Sequence, residues 1–146
     1  MTPFFLGQQA YAIDAQRRVP LRKEWRTDAD AFVLVPGRAG VIQAMSESFF
    51  RQSIVDSAAS MSIADREKSQ ALMVMGSKAV HAPVDKQGRI KLSPELMEHA
   101  GIRDQAVLVG AVTTIQIMSP ETWETNNTDM DTALDQYDRV HNERQS

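Results

Sequence analysis

The chain has 146 residues, 42% of them hydrophobic, a formal net charge of −3 and no cysteine. This suits one compact domain, or two small halves sharing a core, and excludes a disulfide frame and thiolate metal sites. No apolar run approaches the roughly 18 residues of a membrane span, the N-terminus lacks the basic region of a secretory signal, and His81, His99 and His141 are too scattered for metal ligation.

Residues 4–13 read as a strand leading into Asp14-Ala15-Gln16-Arg17-Arg18, and Val19-Pro20-Leu21 continues it with Pro20 at an edge or bulge. Residues 23–29 suggest one or two helical turns. Phe32-Val33-Leu34-Val35, ended by Pro36-Gly37, pairs as a hairpin with residues 41–45. Ser46 is placed to cap a helix. Residues 47–75 contain no Gly or Pro, and Phe50, Ile54, Ala58 and Met61 recur at helical spacing. A break is expected near Ser60-Met61-Ser62, with a second helix from the Asp65 region through Gln70.

Leu72-Met73-Val74-Met75-Gly76 is then expected to begin a second half, with Gly76 opening a strand towards Asp85. Asp85-Lys86-Gln87-Gly88 is turn chemistry: the aspartate bonds its own backbone and the glycine supplies positive φ. Arg89-Ile90-Lys91-Leu92 alternates like a half-buried strand, and Ser93-Pro94-Glu95 enters a short helix stopped at Ala100-Gly101. Residues 106–110 and 114–118 form a second apolar hairpin. Ser119-Pro120-Glu121 starts a helix towards Tyr137, and residues 141–146 are polar and expected to fray.

The chain contains this organisation twice. Asp14 answers Asp85 and Arg18 answers Arg89, each aspartate four positions before its arginine. Val33-Leu34-Val35 answers Val107-Leu108-Val109, and Ser46-Glu47 answers Ser119-Pro120-Glu121. A repeat of roughly seventy residues with landmarks in order outranks local propensity. Charge is uneven as well. Residues 17–26 hold Arg17, Arg18, Arg22, Lys23 and Arg26 against Glu24 alone, whereas residues 129–146 are acidic. A basic face and an acidic tail can coexist in one acidic protein.

Leu96-Met97-Glu98-His99-Ala100-Gly101-Ile102, Val107-Leu108-Val109-Gly110 and Pro120-Glu121-Thr122-Trp123, together with the two Asp-x-x-x-Arg motifs, resemble the MraZ family. That family comprises bacterial transcriptional regulators of the division and cell-wall gene cluster, built from two AbrB-like units. The resemblance runs from Phe4 to about Asp135. It departs at Arg17, where the family usually has Gly; at Arg22 and Ser93, where it usually has Pro; and at Gln116 and Met118 in the last strand. It implies an α+β fold of tandem AbrB-like swapped-hairpin units forming a pseudo-symmetric β-barrel with peripheral helices. The expected boundaries are 1–50 for the first unit, 51–71 for a helical connector, 72–124 for the second unit and 125–146 for a C-terminal helix and acidic tail.

In the functional reading Arg18 and Arg89 reach double-stranded DNA from rigid turns, because a guanidinium fork can grip guanine O6 and N7 together. Arg17, Arg22, Lys86 and Lys91 meet phosphates, while Asp14, Asp85 and Gly88 shape the turns. In the bland reading each Asp-x-x-x-Arg is an ion pair tying a hairpin, and both roles can combine. Phe49, Phe50, Trp123, Met73 and Met75 are expected in the core or at subunit contacts, and His99 at a helix end. The expected protein is a cytoplasmic, nucleoid-associated regulator binding promoter direct repeats as a homo-oligomer, a ring by family likeness, with no cofactor and no metal. A scaffold that keeps the fold without operator binding is the alternative. No nucleophile–base pair or phosphate loop speaks for an enzyme.

Overall fold

The computed structural model describes residues 3–26, 30–62 and 64–145, without the side chains of residues 144 and 145. The strands are β1 (Gln8–Ala12), β2 (Arg18–Pro20), β3 (Ala31–Pro36), β4 (Ile42–Ser46), β5 (Val80–Pro83), β6 (Arg89–Lys91), β7 (Gln105–Gly110) and β8 (Ile115–Met118). They form an open six-stranded antiparallel sheet in the order β1-β7-β8-β4-β3-β5 and a separate β2–β6 ribbon. The hydrogen-bonded ladder does not close into a barrel among the described residues; β1 and β5 are its edges.

Both expected apolar hairpins form, as β3–β4 and β7–β8. The remaining pairings cross between the repeats. β1 pairs with β7, β5 with β3, β4 with β8, and β2 with β6. The exchange is reciprocal, since the first strand of each repeat lies beside the third strand of the other.

Two apolar runs owe their continuity to burial on both faces. Phe32 and Leu34 of β3 enter the main core, whereas Val33 and Val35 face Phe49 and Phe50 of α1 (Glu47–Phe50). β7 repeats the device: Ala106 and Leu108 point to the main core, Val107 and Val109 towards Trp123. Val19, Ile90, Leu21 and Leu92 close the same core from the ribbon side.

Helix starts follow the serines. Ser46 Oγ accepts the Phe49 N–H, Ser93 Oγ that of Leu96, and Ser119 Oγ that of Thr122. From α1 the chain passes a π-helical turn, Arg51–Val55, into α2 (Asp56–Ala59) and turns at Ser60. Asp65 then caps α3 (Arg66–Lys78). This corrects the expected strand at Gly76. Residues 72–78 are helical because Leu, Met and Lys are good helix formers, and one glycine costs only about 1 kcal/mol there. Phe49, Phe50 and Trp123 pack against buried clusters as expected, whereas Met73 and Met75 lie outside the core, exposed on α3 of the single chain.

The helix α4 (Pro94–Ala100) ends on Gly101 in the left-handed region, and His99 Nε2 donates to the Gly37 carbonyl at 2.8 Å. The expected helix from Ser119 is two helices, α5 (Pro120–Asn126) and α6 (Met130–Gln145). Asn127 is extended, and Asp129 Oδ1 restarts the helix by accepting the Thr132 N–H at 2.7 Å. The tail expected to fray is therefore helical as far as Gln145. Of the turns expected over residues 23–29, a 3₁₀ turn, Lys23–Trp25, is present; residues 27–29 lie outside the described residues.

Candidate functional site

The β2–β6 ribbon carries both motifs. Its register sets Arg18 opposite Lys91, Val19 opposite Ile90 and Pro20 opposite Arg89. Val19 and Ile90 are buried, so strand alternation puts Arg18, Pro20, Arg89 and Lys91 on the other face. Pro20 is tolerated because the ribbon has only two strands. Arg18 and Arg89 are diagonal neighbours, about 7–8 Å apart at the backbone.

The two turns preceding the ribbon strands are built alike. Asp14 Oδ1 accepts the Gln16 and Arg18 N–H groups, both at 2.9 Å, and Oδ2 accepts Arg18 Nε at 2.8 Å. Asp85 Oδ1 accepts the Gln87 and Arg89 N–H groups, again both at 2.9 Å, and Oδ2 accepts Arg89 Nε at 3.1 Å. The Arg17 N–H donates to the Asp14 carbonyl and the Gly88 N–H to that of Asp85, each at 3.0 Å. An aspartate is required because one carboxylate must accept two backbone N–H groups and still face the arginine. The Arg18 N–H lowers the Asp14 pKa, and the Arg89 N–H that of Asp85, with the guanidinium hydrogen bonds adding to the effect against some desolvation.

The departure at Arg17 leaves this geometry unchanged. Its φ is 64°, beside 78° at Gly88, a left-handed conformation that costs a residue with a Cβ about 1–2 kcal/mol. A hydrogen bond from Arg17 Nε to the Leu92 carbonyl, at 3.1 Å, offsets part of that cost. The halves also meet electrostatically, with Arg89 Nη1 3.7 Å from Asp14 Oδ2.

The fold thus gathers Arg18, Arg89 and Lys91 on one ribbon, with Asp14 and Asp85 opening the turns that precede its strands. Arg17, Lys86 and Gly88 lie in its two turns, Lys86 exposed. Arg22 is placed differently. It folds over the Trp25 ring at 5.6 Å, lies 3.7 Å from Glu24 and covers Gly7. The ion-pair reading of the motif is realised, since both motif arginines bind their aspartates. Arginine has five donors, and a carboxylate held through Nε leaves Nη donors to present elsewhere, although Arg89 Nη1 also lies near Asp14. Sequence reasoning missed Arg26, which donates through Nε to the Leu21 carbonyl at 2.8 Å and packs over Gly88. The cation run 17–26 contained it, but spacing gave no sign of its target.

Among the described residues no His/Cys/Asp/Glu group could hold a metal ion, and no helix is long and apolar enough to cross a membrane.

Residues 73–138 match the family profile described as "MraZ protein, putative antitoxin-like". The transcriptional regulator MraZ of Thermoanaerobacter pseudethanolicus is 30% identical over 86% of this chain and 89% of its own length. That of Thermomicrobium roseum is 32% identical over 82% and 84%, and that of Lactobacillus delbrueckii subsp. bulgaricus 30% identical over 93% of each. With identity at this level across both repeats, the chain belongs to the MraZ family.

Proposed function

We propose that this protein is a sequence-specific DNA-binding transcriptional regulator that reads short direct repeats upstream of a division and cell-wall gene cluster, using Arg18 and Arg89. The observation that carries the reading is the shared ribbon face, where both motif arginines project from turns fixed by carboxylate–backbone hydrogen bonds. A two-stranded ribbon fits the major groove, which is about 12 Å wide. A spacing of about 7–8 Å between the arginine backbones corresponds to about two base-pair steps of 3.4 Å. Arg17, Lys86 and Lys91 meet phosphates; Arg22, engaged with Trp25 and Glu24, is the least available of the expected contacts.

The reciprocal pairing of β1 with β7 and β5 with β3 supports tandem swapped-hairpin units, 1–50 and 72–124, around a pseudo-dyad near the Val19–Ile90 pair. The barrel-like core is open in its hydrogen bonding and closed by side chains from the ribbon. The protein works in the cytoplasm, on the nucleoid, as a homo-oligomeric ring with head-to-tail contacts. Support for assembly comes from α6, which exposes Met130, Leu134, Tyr137 and Val140, and from an apolar groove of about 940 Å³ lined by Val35, Val74, Ala79 and Leu96. Assembly multiplies contacts, because linked subunits engage successive repeats intramolecularly.

The test is titration of a duplex carrying short direct repeats, beside a scrambled duplex, at two salt concentrations. Arg18→Ala and Arg89→Ala are expected to stay folded and lose preference for the repeats. If they retain it at wild-type affinity, the motif arginines are only structural and the scaffold reading stands.

A further inference from the structure

The two motif turns differ in sequence at two positions, Ala15 against Lys86 and Arg17 against Gly88, yet the surroundings of the second position match. The Leu92 N–H donates to the Arg17 carbonyl at 2.8 Å, and Arg17 Nε donates back to the Leu92 carbonyl at 3.1 Å. In the other half the Leu21 N–H donates to the Gly88 carbonyl at 2.9 Å. Gly88 has no side chain to return the bond. The Leu21 carbonyl instead accepts Arg26 Nε at 2.8 Å, and the Arg26 guanidinium fills the space where a Gly88 Cβ would stand. Arg17 corresponds to Gly88 and Leu21 to Leu92 in the repeat, and the repeat partner of Arg26 is Met97, which packs against the apolar core.

We infer that Arg26 is a positioning and charge-bearing residue of the second motif turn, supplying to it the guanidinium that Arg17 supplies to the first from within the turn itself. The first repeat carries arginine at both positions, Arg17 at the turn and Arg26 later; the second carries Gly88 and Met97. Each turn still has one guanidinium over it, bonded to the carbonyl that follows the opposite ribbon strand. The consequence is a two-fold balance of guanidinium groups despite unlike sequences: Arg17 beside Arg18, and Arg26 beside Arg89. Gly88 is fixed by this arrangement as well as by its φ of 78°, since any side chain would displace Arg26. The charge role rests on the DNA-binding reading above; the positioning role does not.

The experiment relocates the guanidinium. Four proteins are compared: wild type, Arg26→Met, Gly88→Arg and the double variant Gly88→Arg/Arg26→Met, in which the second turn supplies its guanidinium from within, as the first turn does. Thermal unfolding and the salt dependence of binding to the direct-repeat duplex are read for each. Arg26→Met is expected to lower Tm by a few degrees, of the order of one lost hydrogen bond to a charged group. It should also reduce the slope of log K against log salt by about 0.9, one phosphate contact. Gly88→Arg alone should destabilise more, because two guanidinium groups compete for one place. The double variant should regain Tm over Gly88→Arg and recover the wild-type salt slope. Additive losses of Tm in the double variant would overturn the inference, as would an Arg26→Met protein unchanged in Tm. A changed Tm pattern with an unchanged salt slope would remove the charge role. If wild type fails to bind the duplex, the DNA reading falls, and the Tm cycle alone decides whether Arg26 and Arg17 are equivalent.

Discussion

The ribbon holding the motif turns depends on Ile90, which is 1% exposed, stands opposite Val19 and packs in the main core. Ile90→Ala removes three carbon atoms from that position. At about 0.8 kcal/mol per buried methylene the transfer loss is about 2.4 kcal/mol, and the cavity left in a core closed by both halves brings the total to about 3–4 kcal/mol. A domain of this size has a stability of the order of 5–15 kcal/mol, so the variant should remain folded at room temperature. A change of about 2–4 °C per kcal/mol translates the loss into a fall in Tm of roughly 7–14 °C. Ile90→Val should cost only about 1 kcal/mol. Urea unfolding followed by circular dichroism gives the free energies. A loss below about 1 kcal/mol for Ile90→Ala, or equal losses for alanine and valine, would show that the ribbon is not seated in the shared core.

Asp14 and Asp85 have folded pKa values below the ordinary aspartate value, so their stabilising contribution is present above the unfolded pKa of about 3.9 and is lost as pH falls through the folded values. Stability measured from pH 6 to pH 2 should therefore fall less steeply in Asp14→Asn/Asp85→Asn than in wild type; parallel curves would refute the assignment. Lys86→Ala, an exposed change at the turn tip, should leave Tm within about 1 °C and weaken repeat and scrambled duplexes alike, with a salt slope smaller by about 0.9. Leu134→Asp, on the exposed stripe of α6, should leave the circular dichroism spectrum intact and reduce the mass seen by light scattering. An unchanged mass would place assembly elsewhere.

The hairpins and motif turns were legible because their chemistry is local: Pro36-Gly37 ends β3, and Asp85 with Gly88 dictates its own turn. Gly76 misled because a four-residue apolar run beside glycine fits a buried strand or a helix equally, and Asp65, eleven residues upstream, fixes the helix. The polar run over residues 141–146 made the chain end look frayed, whereas the cap from Asp129 starts α6, which runs to Gln145. The repeat pointed to related halves, but periodicity carries no information on which strand pairs with which, so the crossed partners of β1 and β5 are read from three dimensions. Arg26 was hidden for the same reason. Its target, Gly88, belongs to the other repeat.

The central claim is that Arg18 and Arg89 read guanines from one ribbon. Methylation interference at guanine N7 tests it most directly, because a methyl group there blocks the acceptor that a guanidinium fork requires. Wild-type protein should be excluded from direct-repeat duplexes methylated at specific guanines. Arg18→Ala and Arg89→Ala should each lose sensitivity at a distinct subset while their residual, sequence-independent binding persists. Wild-type binding indifferent to N7 methylation throughout the repeats would contradict the account.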